Sequence, residues 1–212
     1  MRGAWIAGAV FAVIAVGGPA FAEEGTPAVA PASQPVAAGK LSYSHRMQGG
    51  VGLIFGSGYR GMVRYHNKPA CEDVPSGGEL KTFCHSRLPT FMDIQASFGV
   101  TRGLSVITDF RLGLEKDFTH SRPLALAPGI KYFIDADDRW KFFVTVQLAI
   151  DFSEQLPDVP RADVGLRNTV GFQCDVHRLF GVWVQLGDTL AFRRYFSFAL
   201  DAAIGLEVRF PP

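Results

Sequence analysis

The fourteen residues before the terminal prolines, SFALDAAIGLEVRF, alternate without a break. Phe198, Leu200, Ala202, Ile204, Leu206, Val208 and Phe210 fall on one face, against Asp201, Ala203, Gly205, Glu207 and Arg209 on the other. Successive side chains of a strand point to opposite sides, so this period builds a strand with one apolar and one polar face. Leu104–Glu115 repeats the pattern. Leu104, Val106, Thr108, Phe110, Leu112 and Leu114 oppose Ser105, Ile107, Asp109, Arg111, Gly113 and Glu115. In 141–152, Phe142, Val144, Val146, Leu148, Ile150 and Phe152 oppose Phe143, Thr145, Gln147, Ala149 and Asp151. No stretch after residue 40 carries a sustained helical period. The alternation predicts eight strands, near 50–66, 91–100, 103–115, 124–135, 141–153, 163–176, 181–193 and 197–210. Several exceed the roughly 5–6 residues common in soluble sheets. They match the roughly 9–11 residues a tilted strand needs to cross a membrane. Glycines crowd the first, while Pro128 and Asp188 interrupt the fourth and seventh.

The chain begins with an export signal. Arg2 precedes an apolar run, Ile6 to Val16, too short for the roughly 20 residues of a spanning helix. Gly17-Gly18-Pro19 breaks it, and Ala20-Phe21-Ala22 forms a cleavage site. Residues 1–22 are therefore expected to be removed. Residues 23–39, EEGTPAVAPASQPVAAG, lack any apolar period and read as a Pro/Ala-rich linker. Residues 40–212 form one domain. Losing Arg2 leaves basic and acidic residues in balance, and no basic run suggests nucleic acid.

The connections run long, short, long, short. Asn67–Thr90 is long and Thr101–Gly103 tight; 116–123 and 153–162 are longer than the turns near Asp137 and His177. Long outer loops and short periplasmic turns give a membrane barrel this rhythm. The last connection, near 193–197, is short where a longer one was due. A lipocalin-like barrel also alternates, with its apolar face inward. The polar face decides between them. It interleaves Gly, Ala and Ser with opposite charges, which suits the crowded interior of eight strands. Buried charges need partners. Arg60, Arg64, Arg111, Lys131, Arg167 and Arg209 against Asp93, Asp109, Asp151, Asp175, Asp201 and Glu207 predict an interior network. Aromatics near strand ends, among them Phe91, Tyr132, Trp140, Trp183, Phe192 and Phe210, suit interfacial girdles.

Cys71 and Cys84 flank a loop-like stretch, and in an exported chain they are expected to pair. The constraint amounts to roughly 3 kcal/mol. A metal site with His66 and His85 would call for tighter cysteine spacing. Cys174 is left on an apolar strand face.

Region 49–210 resembles the small outer-membrane β-barrel superfamily typified by the OmpA transmembrane domain and OmpX. The resemblance rests on the signal, the amphipathic strands, the loop rhythm and the last strand. It implies an all-β, eight-stranded antiparallel closed transmembrane barrel with up-and-down order. It also implies that Leu206, Val208 and Phe210 form the C-terminal signal read by the barrel-assembly machinery, although Pro211-Pro212 follow. The expected location is a bacterial outer membrane, with linker and C-terminus periplasmic.

Some barrels of this superfamily modify lipid A with a Ser–His pair. Here His85-Ser86 and His120-Ser121 are chain neighbours, which on a strand face opposite ways. No catalytic residue, cofactor or metal is therefore expected. The expected role is structural, or binding of an envelope partner or surface ligand in outer-membrane lipid. A narrow channel for small polar solutes is the alternative and a lipid-modifying enzyme the third. Leu206→Arg is expected to cost about 2–4 kcal/mol if Leu206 lies near the bilayer midplane.

Overall fold

The computed structural model describes residues 43–63, 83–116, 122–152, 162–193 and 196–210. Eight strands fill most of them: β1 (Gly49–Val63), β2 (Phe83–Gly99), β3 (Leu104–Gly113), β4 (Leu124–Ile134), β5 (Trp140–Asp151), β6 (Asp163–His177), β7 (Phe180–Ala191) and β8 (Phe196–Phe210). Each pairs antiparallel with the next, and β8 pairs back on β1. The protein is a closed, up-and-down, all-β barrel. Closure leaves no edge strand with unpaired backbone groups.

The ladder fixes the geometry. Gly50 pairs with Ser97, and the partners continue through Ile107, Gly129, Gln147, Arg167, Thr189 and Ala199. Ala199 returns to β1 at Arg60, ten residues from the start. A stagger of this size tilts the strands by roughly 35–45° and leaves a lumen just wide enough for side chains.

Two irregularities mask strands in the sequence. β2 begins at Phe83, whereas its alternation becomes readable only at Phe91. Between Gly56 and Gly58 of β1, the β2 partners jump from Phe91 to Leu88, so β2 carries an extra residue around Pro89-Thr90. A proline has no N–H for the ladder and is accommodated at such a bulge. The extra residue reverses the phase, so His85 faces outward and stacks on Tyr59 at 5.7 Å. His85 thus lies on a strand, not in the loop expected for it. In β4, pairing to β5 skips Ala127 and Pro128. The carbonyl of Ala127 is taken instead by the side chain of Gln147, whose Nε2 donates at 3.0 Å.

The two faces differ in chemistry. Val106, Phe110, Val144, Leu186, Leu200 and Ile204 are among the large apolar side chains exposed on the outside. Lys131, Lys141, Asp93, Arg167 and Asp175 are buried within. Outward aromatics gather toward the ends. At the barrel end that holds Gly49 and Phe210, Trp140 stacks on Phe172 at 5.3 Å, and at the far end Phe83 stacks on Phe198 at 6.3 Å. Phe91 and Trp183 depart from the expected girdles. At 1% and 2% exposure they point into the lumen.

Leu206, Val208 and Phe210 all face outward. Leu206 lies only four residues from the end of β8, so the condition that it lie near the midplane is not met. Ile204 lies nearer the strand centre. In a bilayer, Ile204→Arg is expected to cost about 2–4 kcal/mol, and Leu206→Arg less, because the cost falls toward the interface. Urea titration of folding into lipid vesicles measures both. Equal stability of Ile204→Arg and wild type would contradict the outward assignment.

Candidate functional site

The lumen holds two polar networks and one apolar cluster. The network nearer the long connections is built on Arg111 and Arg167. Arg111 donates from Nε and Nη2 to the two oxygens of Asp93 at 2.8 and 2.9 Å. Arg167 bridges Asp93 and Asp201, at 3.3 Å to each. Asp109 accepts from Gln95 at 2.7 Å and from Gln147 at 2.8 Å. A forked guanidinium suits this bidentate recognition better than a lysine would. Arg60, Asp151 and Asp163 line a cavity of about 90 Å³ above this network. Its walls include Ala125, Ala127, Ala149 and Gly165, so small side chains create the space.

The second network lies toward the barrel end that holds Gly49 and Phe210. Asp175 Oδ1 accepts from Arg209 at 2.5 Å and from Gln173 at 2.8 Å, and its Oδ2 pairs with Lys141 at 2.7 Å. Glu207 accepts from Arg209 at 2.8 Å and from Ser97 at 2.6 Å. Lys131 donates to Gln173 at 3.1 Å.

Ile54, Phe91, Phe133, Phe143 and Trp183 form the apolar cluster that touches both networks. Arg111 lies 3.5 Å over the Phe91 ring. Lys131 Nζ stands 4.1, 4.5 and 5.0 Å from the rings of Phe143, Trp183 and Phe133. Ring faces attract cations most strongly where water is excluded. Glycines make room for the rings. A Cβ on Gly205 would stand 2.2 Å from Trp183, and one on Gly171 would stand 2.3 Å from Phe143.

The terminal end is stoppered by residues 43–48. Tyr43 N donates to Asp137 O at 3.2 Å, and Lys141 Nζ donates to Tyr43 O at 2.9 Å. His45 is buried. Its Nε2 lies 3.2 Å from Asp175 and 3.1 Å from Lys141, and its ring meets Phe133 edge-on. Met47 adopts φ 59°, a left-handed conformation unusual for its side chain. Hydrogen bonds hold it there: Met47 N to Gly99 O at 2.7 Å and Gly99 N to Gln48 O at 2.9 Å. Gly99 is required at this contact, because a Cβ there would stand 1.8 Å from His45 O.

Of the residues singled out in the sequence, Asp93, Asp109, Arg111, Arg167 and Asp201 meet in the first network. Lys131, Asp175, Glu207 and Arg209 meet around the second. Arg60 and Asp151 line the cavity. Arg64, Cys71 and the Cys84 side chain lie outside the described residues, as do His66 and His120. Sequence reasoning missed Lys141 and Asp163, although both share the inward phase of their strands. The same phase would have placed the four inward rings. His45 precedes every strand, and no periodicity marks it.

This is the fold of the small eight-stranded outer-membrane barrels. Among solved structures, the chain is similar to the N-terminal β-barrel domain of Pseudomonas aeruginosa OprF, with a TM-score of 0.53 at 8% identity. That likeness covers 78% of this chain and 98% of the other. Neisserial surface protein A (NspA) gives 0.51 at 10% identity, over 76% of this chain and 97% of that one. No family model and no curated protein matches the sequence.

Two predictions follow from the networks and the stopper. Arg167→Met removes one partner from buried Asp93 and Asp201 and is expected to cost about 3–5 kcal/mol in urea unfolding. A cost below about 1 kcal/mol would show that the pairs contribute little. The second concerns pH. Burial holds the pKa of His45 down to about 4, against opposing help from Asp175; Arg209 and Lys141 add to the lowering and Glu207 resists it. The undocked segment would bind a proton at its ordinary value, so docking is fully stable above about pH 6.5. Docking weakens as pH falls from 6.5 toward 4, by up to about 3 kcal/mol. Amide-exchange protection at Met47, corrected for intrinsic pH dependence, is expected to fall over that window. Constant protection would contradict a neutral, buried His45.

Proposed function

We propose that this chain is an integral protein of a bacterial outer membrane with a non-catalytic role. It anchors its Pro/Ala-rich linker at the periplasmic side and presents its longer connections for contact with an envelope partner or surface ligand. The observation that carries this reading is the inverted polarity. Charges and amides fill the lumen, while large apolar side chains cover the outside. A soluble barrel would bury the second set and hydrate the first. The connections at 100–103, 135–139 and 178–179 are all short and share one end with residues 43–48 and Phe210, whereas the other end holds 64–82, 114–123 and 152–162, with only 192–195 as short. In membrane barrels short turns face the periplasm. The longest connection, residues 64–82, carries Cys71 of the expected disulfide and joins β1 to β2 at the opposite end.

The filled lumen weighs against the channel reading. A solute would have to displace the aromatic cluster, two ion-pair networks and the docked segment. His85 and Ser86 sit on opposite faces of β2, and His45 is engaged by Asp175 and Lys141, which weighs against acyl chemistry at either.

The test is gel mobility of the signal-cleaved, membrane-extracted protein, with fractionation and planar-bilayer recording. Faster migration without boiling, recovery with the outer membrane and no conductance step are expected. Recovery as a soluble periplasmic protein with no mobility shift would replace this reading with a soluble barrel. A discrete conductance would favour the channel, and lipid A altered on expression would favour the enzyme.

A further inference from the structure

One polar pair lies on the wrong face. Asn168 of β6 and Asp188 of β7 are direct register partners, and Asn168 Nδ2 donates to Asp188 Oδ2 at 3.1 Å. Both belong to the outward phase of their strands. Asp188 pairs across the other ladder with Leu200, and Asn168 with Val146. Leu186, Leu166 and Val170 complete an apolar surround, with Leu186 exposed by 64%. The pair also lies inside its strands, three residues from the end of β7 and five from the start of β6. Given that the outward face lies in lipid, a carboxylate and an amide sit among hydrocarbon-facing side chains. Such groups are costly there and mark functional surfaces.

We infer that this β6–β7 face pairs with a second copy of the chain. The pair is self-complementary. Asn168 has one further N–H to donate, and the other Asp188 oxygen, Oδ1, can accept it. On strands tilted by roughly 35–45°, ladder partners differ in depth by about 3 Å, an offset that a side-chain hydrogen bond can span. Copies in one membrane share an orientation, so their twofold axis runs along the membrane normal. Rotation about that axis places each Asn168 opposite the other copy's Asp188. The four side chains then close a ring of hydrogen bonds, as an isologous interface requires. Leu186 and Leu200 flank the ring and pack against their counterparts.

The test uses the signal-cleaved full chain in phospholipid vesicles, labelled at its N-terminal amine with donor or acceptor dye. Energy transfer is followed as protein is diluted in lipid. Wild type is expected to exceed the random-proximity level. Asp188→Leu and Asn168→Leu are each expected to weaken association by about ten-fold, the scale of interhelical hydrogen bonds measured in membranes. The exchanged variant, Asn168→Asp with Asp188→Asn, regenerates the ring and is expected to restore association. That recovery separates pairing from general damage to the barrel, even if Asp188→Leu alone does not fold. Wild type that inserts, shifts on the gel and shows only random transfer overturns the inference while leaving the membrane reading intact. Association unaffected by Asn168→Leu overturns it too, as does association seen only after outer-membrane extract is added, which would point to a different protein. Failure of wild type to insert overturns the membrane reading and this inference with it.

Discussion

Eight strands staggered by ten residues leave a lumen that side chains fill apart from a cavity of about 90 Å³, and most of the structure follows from that fit. Every inward position has to be occupied without clash, and every inward charge has to meet a counter-charge, a fixed amide or a ring face. The chain satisfies both demands with few residue types. Two arginines fork across Asp93 and Asp201 in one network, where Gln95 and Gln147 hold Asp109. Arg209, Lys141 and Lys131 meet Asp175, Glu207 and Gln173 in the other. Four rings fill the space that touches both. Glycines face those rings because a single Cβ would collide. Removing one partner from such a network exposes the rest to the full cost of an unpaired buried charge.

The same fit limits function. A packed lumen serves poorly as a conduit, and a histidine held between Asp175 and Lys141 is spent on structure. Activity is left to the surfaces: the outward face, the connections beyond the strands and the segment that stoppers the terminal end. The stopper ties residues 43–48 to β2, β5 and β6. His45 makes that attachment sensitive to acid.

Much of this was legible from period-2 alternation, because one-sided burial imposes it on every strand. β8, β3 and β5 read almost residue for residue. Legibility failed where backbone irregularity broke the phase. The bulge at Pro89 hid the first part of β2 and made His85 look like a loop residue. It failed again where the inward face was not polar. Phe91 and Trp183 looked like girdle aromatics, yet their phase matched Asp93 and Gln185. Lys141 shared the phase of Phe143 and was simply at the strand's edge. The Asp188 interruption was visible as a disturbance, but only the register set Asn168 beside it. His45 carried no signal, since its place depends on a turn at Met47 and the absence of a side chain at Gly99.

The most direct test of the account is tryptophan quenching by brominated lipid. Once the signal is removed, the chain keeps Trp140 and Trp183. Trp140 is outward and 57% exposed, whereas Trp183 is 2% exposed, in the lumen. In vesicles with bromine at shallow acyl positions, Trp183→Phe, which keeps Trp140, is expected to be strongly quenched. Trp140→Phe, which keeps Trp183, is expected to be almost unaffected. Quenching of Trp183 with Trp140 protected would mean the barrel's faces are reversed.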